Sequence, residues 1–210
     1  MPRGSASAWR APGRVSPESR QDGTAAVGGH AAIVAGSCSQ ATLGQIAAAE
    51  ATIATLRLDP ERLVTQQAAV DEAVAWARQR LAGGPVLLAS SAPPAQVAAL
   101  QQRHGGASAG HAIEQALARI AAALVQAGVR RLVVAGGETS GAVVDRLAIP
   151  AFLIEREIAP GVPILRAVGA KGAVGTPGAV GAPGNDMLMA LKSGNFGGVS
   201  FFTDALALMR

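Results

Sequence analysis

Three short apolar runs, each ending in a bend of glycines and hydroxyl residues, constrain this chain more than any other feature. Ala31-Ala32-Ile33-Val34-Ala35 leads into Gly36-Ser37-Cys38-Ser39, then into a helical spacing of Leu43, Ile46, Ala47, Glu50 and Ile53. Arg131-Leu132-Val133-Val134-Ala135 leads into Gly136-Gly137-Glu138-Thr139-Ser140-Gly141 and a short helix to Leu147. Met187-Leu188-Met189-Ala190-Leu191 leads into Lys192-Ser193-Gly194-Asn195-Phe196-Gly197-Gly198 and a helix over about 200–209. Short continuous apolar runs read as strands buried on both faces. Strands alternating with helices build βα units. The expected fold is therefore α/β, a three-layer αβα sandwich around a mostly parallel sheet. Ligands of such sheets bind outside the carboxyl ends of the strands. If the three strands run parallel, their three bends emerge on one edge.

The remaining elements are read in the same way. Ser39 is an N-cap for a helix over about 40–56, and a second helix covers about 65–81 before Gly83-Gly84. Pro85-Val86-Leu87-Leu88-Ala89 is a strand, broken at Ala92-Pro93-Pro94, with an irregular stretch to Gly110. A third helix spans about 112–127 and stops at Gly128. Ala151-Phe152-Leu153-Ile154 is a strand, and Pro160 and Pro163 limit an ordered loop around Arg156 and Glu157. Residues 1–29, rich in Pro, Gly, Ser and Arg, read as a flexible N-terminal extension to a domain over 30–210. Within that domain, 168–185 carries a Gly-X-Y run with collagen's period but far too few triplets for a triple helix, so it reads as a flexible insertion.

Composition excludes several functions. Half of the 210 residues are apolar and 15% charged, so the bulk folds. The 18 basic and 14 acidic residues leave a net charge of only +4, with no basic run beyond Arg130-Arg131. Duplex DNA binding needs basic clustering, and single-strand binding needs stacking aromatics, which are 3% here; no nucleic-acid partner is expected. No apolar run reaches the roughly 18 residues that span a bilayer, so no membrane partner is expected. One cysteine excludes an intramolecular disulfide framework and a multi-Cys zinc site and fits a reducing, cytoplasmic compartment. His30, His104 and His111 are scattered without ligand spacing, and no protein metal site is read.

The bends carry the chemistry. In 136–141, glycine lets the backbone approach a ligand, the orphan amides of a helix start can hold phosphate oxygens, and Thr139 and Ser140 add hydroxyls. Glu138 suits a ribose hydroxyl or a water-bound metal. The adjacent glycines are not a G-x-G-x-x-G fingerprint, and no Lys-Ser/Thr pair makes a Walker A loop. A ligand-free strand–helix turn is the alternative at this level. In the last bend Lys192 is a donor for phosphate charge, and Gly194 allows a backbone wrap; a solvated lysine in a Gly-rich loop is the alternative. Ser37 and Ser39 suit an anion, while Cys38 reads as a small buried thiol.

Read together, the stretches 36–42, 133–143, 157–163 and 190–202 resemble the C-terminal, nucleotide-binding domain of the four-carbon acid sugar kinase family. That resemblance covers about 31–210. It implies an ATP-dependent enzyme, with Mg²⁺, that phosphorylates a small sugar acid such as 3-oxo-tetronate, erythronate or threonate. It implies that Ser37, Ser39, Gly136, Gly137, Glu138, Thr139, Ser140, Gly141, Lys192 and Gly194 surround the nucleotide. The family's N-terminal half, with its Asp-Asp-x-Thr-Gly type motif and acid pocket, has no counterpart in this chain. The acceptor and base would then come from a missing domain or a partner chain, and no catalytic residue is assigned. A homo-oligomer is compatible with this. The competing function is a non-catalytic nucleotide-binding fragment or split subunit; a dinucleotide oxidoreductase lacks its glycine fingerprint.

Overall fold

A computed structural model of the chain describes residues 27–92, 94–169 and 186–210. Most of the 1–29 extension and of the 168–185 insertion lies outside the described residues. The described ends of both segments belong to the folded body: Val27 is buried, and Val168 closes a strand.

Seven strands form one sheet: β1 (His30–Ala35), β2 (Ala54–Arg57), β3 (Val86–Ala89), β4 (Val129–Ala135), β5 (Ala151–Ala159), β6 (Val162–Val168) and β7 (Leu188–Lys192). Their order is β2-β3-β1-β4-β7-β6-β5. The first five in that order run parallel, and β6 turns antiparallel to both β7 and β5. The fold is the α/β sandwich with a mostly parallel sheet that the strand–helix alternation implies.

Both faces of the central strands are buried, and alternate residues feed opposite layers, as the pleat requires. Val34, Leu88, Leu132 and Val134 join one apolar cluster, while Ile33, Leu87, Val133 and Ala135 join the other. The first cluster is roofed by α3 (Ala68–Arg78), α5 (Gly106–Gln126) and α6 (Gly137–Arg146), through Val74, Leu117, Ile120 and Val143. The second is covered by α1 (Gln40–Ala49) and α7 (Phe201–Leu208), through Ile46 and the edge-to-face pair Phe201–Phe202. Truncating a fully buried side chain such as Leu117 or Ile120 to Ala costs about 2–5 kcal/mol.

Several boundaries differ from the sequence reading. The expected helix over 40–56 ends at Ala49, and 54–57 is instead the edge strand β2, where β-branched Thr55 suits a pleated pairing with β3. The expected 65–81 helix begins at Ala68, preceded by the short helix α2 (Pro60–Thr65), which Asp59 caps by accepting from Glu61 N. The irregular stretch after 92 holds α4 (Pro94–His104), because proline is tolerated in the first turn of a helix. α5 likewise starts at Gly106 rather than near 112. The ordered loop around Arg156 is the hairpin β5–β6, turning at Pro160-Gly161, with Gly161 at φ +78°. Its acidic side chains are held by separate partners. Glu155 pairs with Arg166 at 2.6 Å, and Glu157 accepts from Gly161 N at 3.2 Å.

Candidate functional site

β1, β4 and β7 are neighbours in the sheet, and Ala35, Ala135 and Lys192 are direct register partners across them. Their three bends therefore start at the same level of one edge. Backbone bonds lace them together: Gly36 N and Ser37 N donate to Ala135 O, and Gly136 N donates to Lys192 O at 2.8 Å.

The first and third bends are joined by side chains. Ser39 caps α1 by accepting from Thr42 N, and its hydroxyl donates to Gly194 O at 2.7 Å. Thr42 Oγ1 donates to the same carbonyl at 3.0 Å. The contact is so close that a Cβ on Gly194 would lie 2.6 Å from Ser37 Oγ and 3.1 Å from Ser39 Cβ. The first and second bends interlock as tightly. A Cβ on Gly36 would strike Thr139 Oγ1, and one on Gly136 would lie 2.9 Å from the same atom. Gly136 also stands at φ +131°, outside the range of ordinary L side chains.

α6 starts directly on the second bend, with Thr139 and Ser140 buried in its first turn. Ser140 N bonds back to Gly136 O. The amides of Gly137, Glu138 and Thr139 precede any intrahelical acceptor and carry the positive end of the helix dipole. A Cβ at Gly137 meets nothing within 4 Å, and Gly137, Glu138 and Thr139 line an open cleft. Glu138 and Gly141 are exposed.

Lys192 is placed differently from the expectation of a phosphate donor. Its side chain is fully buried, and Nζ donates to Gly194 O (2.8 Å), Ser193 O (3.1 Å) and Thr42 Oγ1 (3.1 Å). An ammonium has three donors, and all three face inward. Burial pulls its pKa from 10.5 down to about 8. Lys192 thus braces the third bend from beneath.

Sequence reasoning missed the matching brace, Gln45. Its buried Nε2 donates to Phe196 O, Gly197 O and Gly198 O at 2.9–3.1 Å. The available signal was its place beside Thr42, Ile46 and Ala49 on the buried stripe of α1. It also missed Glu114 of α5. Burial, then the charge of Glu138, raises the Glu114 pKa.

The first two bends open onto a cleft of about 340 Å³, bounded also by Pro60, Ser90, α4 and α5. Among the described residues its lining includes Glu114 and Glu138 and no Lys or Arg. Among the described residues no group of three or more His, Cys, Asp or Glu side chains stands together as a metal cage. Cys38 lines the same cleft, and its sulfur accepts from Ala92 N at 3.5 Å. No helix among the described residues is long and apolar enough to cross a membrane.

This geometry, amides and hydroxyls gathered at the switch between β1 and β4, defines a nucleotide-binding α/β domain. The Nucleotide-binding C-terminal domain family matches residues 32–202, and the chain belongs to it, as the C-terminal domain of the four-carbon acid sugar kinase type. It is 60% identical over 183 residues to the 3-oxo-tetronate kinase of Methylobacterium radiotolerans, covering 87% of this chain and 40% of that protein. It is 44% identical to the 3-oxo-tetronate kinase of Cupriavidus necator, covering 86% and 38%. Against a crystal structure of a Haemophilus influenzae protein of the DUF1537 family the TM-score is 0.78, at 32% identity, covering 90% of this chain and 43% of that one. The chain therefore spans about 40% of the length of the curated relatives it matches.

Proposed function

We propose that this chain binds MgATP as the nucleotide-holding part of a sugar-acid kinase, which transfers the γ-phosphoryl group to a hydroxyl of a 3-oxo-tetronate-, erythronate- or threonate-type acid. The observation that carries the reading is the open cleft at Gly137, lined by the bends that follow β1 and β4, with the bend after β7 packed against Ser37 and Ser39. Phosphoryl transfer is chiefly a matter of positioning and charge stabilisation. The amides of Gly137, Glu138 and Thr139 offer donors to phosphate oxygens, and Ser37 adds its hydroxyl. Ser140 and Gly141 continue the first turn of α6. Gly136 supplies the backbone turn that aims it. Ser39 and Lys192 act through Gly194, holding that bend against the phosphate edge.

Among the described residues no cleft-lining side chain is cationic. Mg²⁺ arriving with ATP would neutralise phosphate charge, held largely by phosphate and water as that ion prefers, with Glu138 the nearby carboxylate. The acid, and the base that takes its hydroxyl proton, are assigned to a further domain or a partner chain. We assign the activity to the cytoplasm and to carbohydrate metabolism, where such acids and ATP meet.

A purely nucleotide-holding role is the second reading. An assay of ADP release with threonate or erythronate separates the two. Activity of the chain once it is combined with the remaining portion of a relative supports the kinase reading. ATP binding without ADP release in that mixture supports the second.

A further inference from the structure

The amino ends of the same strands carry a second opening, at the far edge of the sheet from the three bends. It has a volume of about 360 Å³ and lies between the start of β1, the turn 81–85, β4 and the end of α7. At about 3.3 Å per residue, the six residues of β1 separate it from the bends by roughly 20 Å. It shares no lining residue with the cleft at Gly137.

Its ionisable lining is of one kind. Arg131, Arg210 and His30 line it, and among the described residues no Asp or Glu does. Arg131 donates from Nη2 to Gly29 O at 2.9 Å, while its Nε is buried without a hydrogen-bond partner among the described residues. A guanidinium offers five donors in a fixed fork that matches an oxyanion, so most of this one is uncommitted. Burial, then the charge of Arg210, lowers the Arg131 pKa, as two cations set close together require. The negative end of the α7 dipole does not account for the pair, because a different arginine serves it: Arg156 donates to Leu208 O.

We propose that this opening binds a phosphate group, as inorganic phosphate or as a small phosphate monoester, between the Arg131 and Arg210 guanidiniums with His30 as a further donor. A phosphate dianion cancels the repulsion between the two cations, and charge-assisted bonds to a fork are the strong ones. A volume of about 360 Å³ exceeds what a bare phosphate fills, which leaves room for the carbon part of a monoester. Bound there, the anion ties the amino ends of β1 and β4 to the end of α7. It binds together with MgATP and does not compete with it.

The experiment is a thermal melt of the full chain against inorganic phosphate and against phosphoglycolate, at constant ionic strength set with sodium chloride. A saturable rise in melting temperature is expected, and it should persist at saturating MgATP, because ligands at separate sites stabilise together. Arg131→Met and Arg210→Met should each weaken the apparent affinity by about tenfold or more. Arg210 is exposed at the end of α7, so its variant keeps the test open should Arg131→Met, inside a strand, fold poorly. A larger rise with phosphoglycolate identifies a monoester as the ligand, and an equal rise identifies phosphate itself. A rise that both variants keep means an adventitious ion only and overturns the site. A rise that MgATP abolishes puts the anion on the three-bend edge and overturns it too, as does the absence of any rise in the wild type. Should the chain hold no MgATP, the two arginine variants decide the question alone.

Discussion

Ser39 Oγ donates a 2.7 Å hydrogen bond to the carbonyl of Gly194, a residue 155 positions further along the chain. That bond, with Thr42 and Lys192 on the same oxygen, makes the meeting of two distant bends a packed contact. Gly194→Ala should therefore disturb both. The added methyl meets Ser37 and Ser39, and an overpacked contact of this kind costs about 1–3 kcal/mol. A lowered melting temperature together with weakened ATP binding is expected. A variant as stable and as tight as wild type would show that the bends have slack.

Gly137→Ala is the complementary case. Its Cβ has nothing within 4 Å, and the residue lies in the first turn of α6 without a positive φ. Stability should hold or rise slightly, by up to about 1 kcal/mol. ATP binding should fall by about tenfold, or 1.4 kcal/mol, because the methyl enters the space assigned to phosphate. Calorimetry beside a thermal melt reads both quantities. Unchanged affinity moves the phosphates away from α6.

Lys192 gives a pH signature. Burial lowers its pKa to about 8 in the folded chain, against 10.5 for the ordinary group. Between those values the unfolded chain binds the extra proton, so stability rises with pH through that window. Relative to Lys192→Met, the wild type should gain stability from about pH 8 to 10.5 and show no such trend at pH 5–7. Paired thermal melts across pH test this, and a flat difference would mean that Nζ is solvated.

The central strands and the three bends were legible because strands buried on both faces carry unbroken apolar runs, and because glycine and hydroxyl residues punctuate them. The edge elements were not. Ile53 and Leu56 prolong the helical spacing of α1 even though 54–57 pairs with β3. Pro93-Pro94 reads as a break, although Pro94 opens α4. Glu155, Arg156 and Glu157 look like loop residues and lie in the outermost strand, where only one side of the ladder is paired. The direction of Lys192 depends on carbonyls that the fold brings to it, and Glu114 gains its meaning only when α5 faces α6. Neither relationship has a local pattern in the chain.

Titration of MgATP into the purified chain by calorimetry tests the three-bend phosphate site most directly. Saturable one-to-one binding, with a dissociation constant below about 1 mM and a marked loss in Gly137→Ala, is the expected result. No binding heat at millimolar MgATP, or equal binding by wild type and Gly137→Ala, would contradict it.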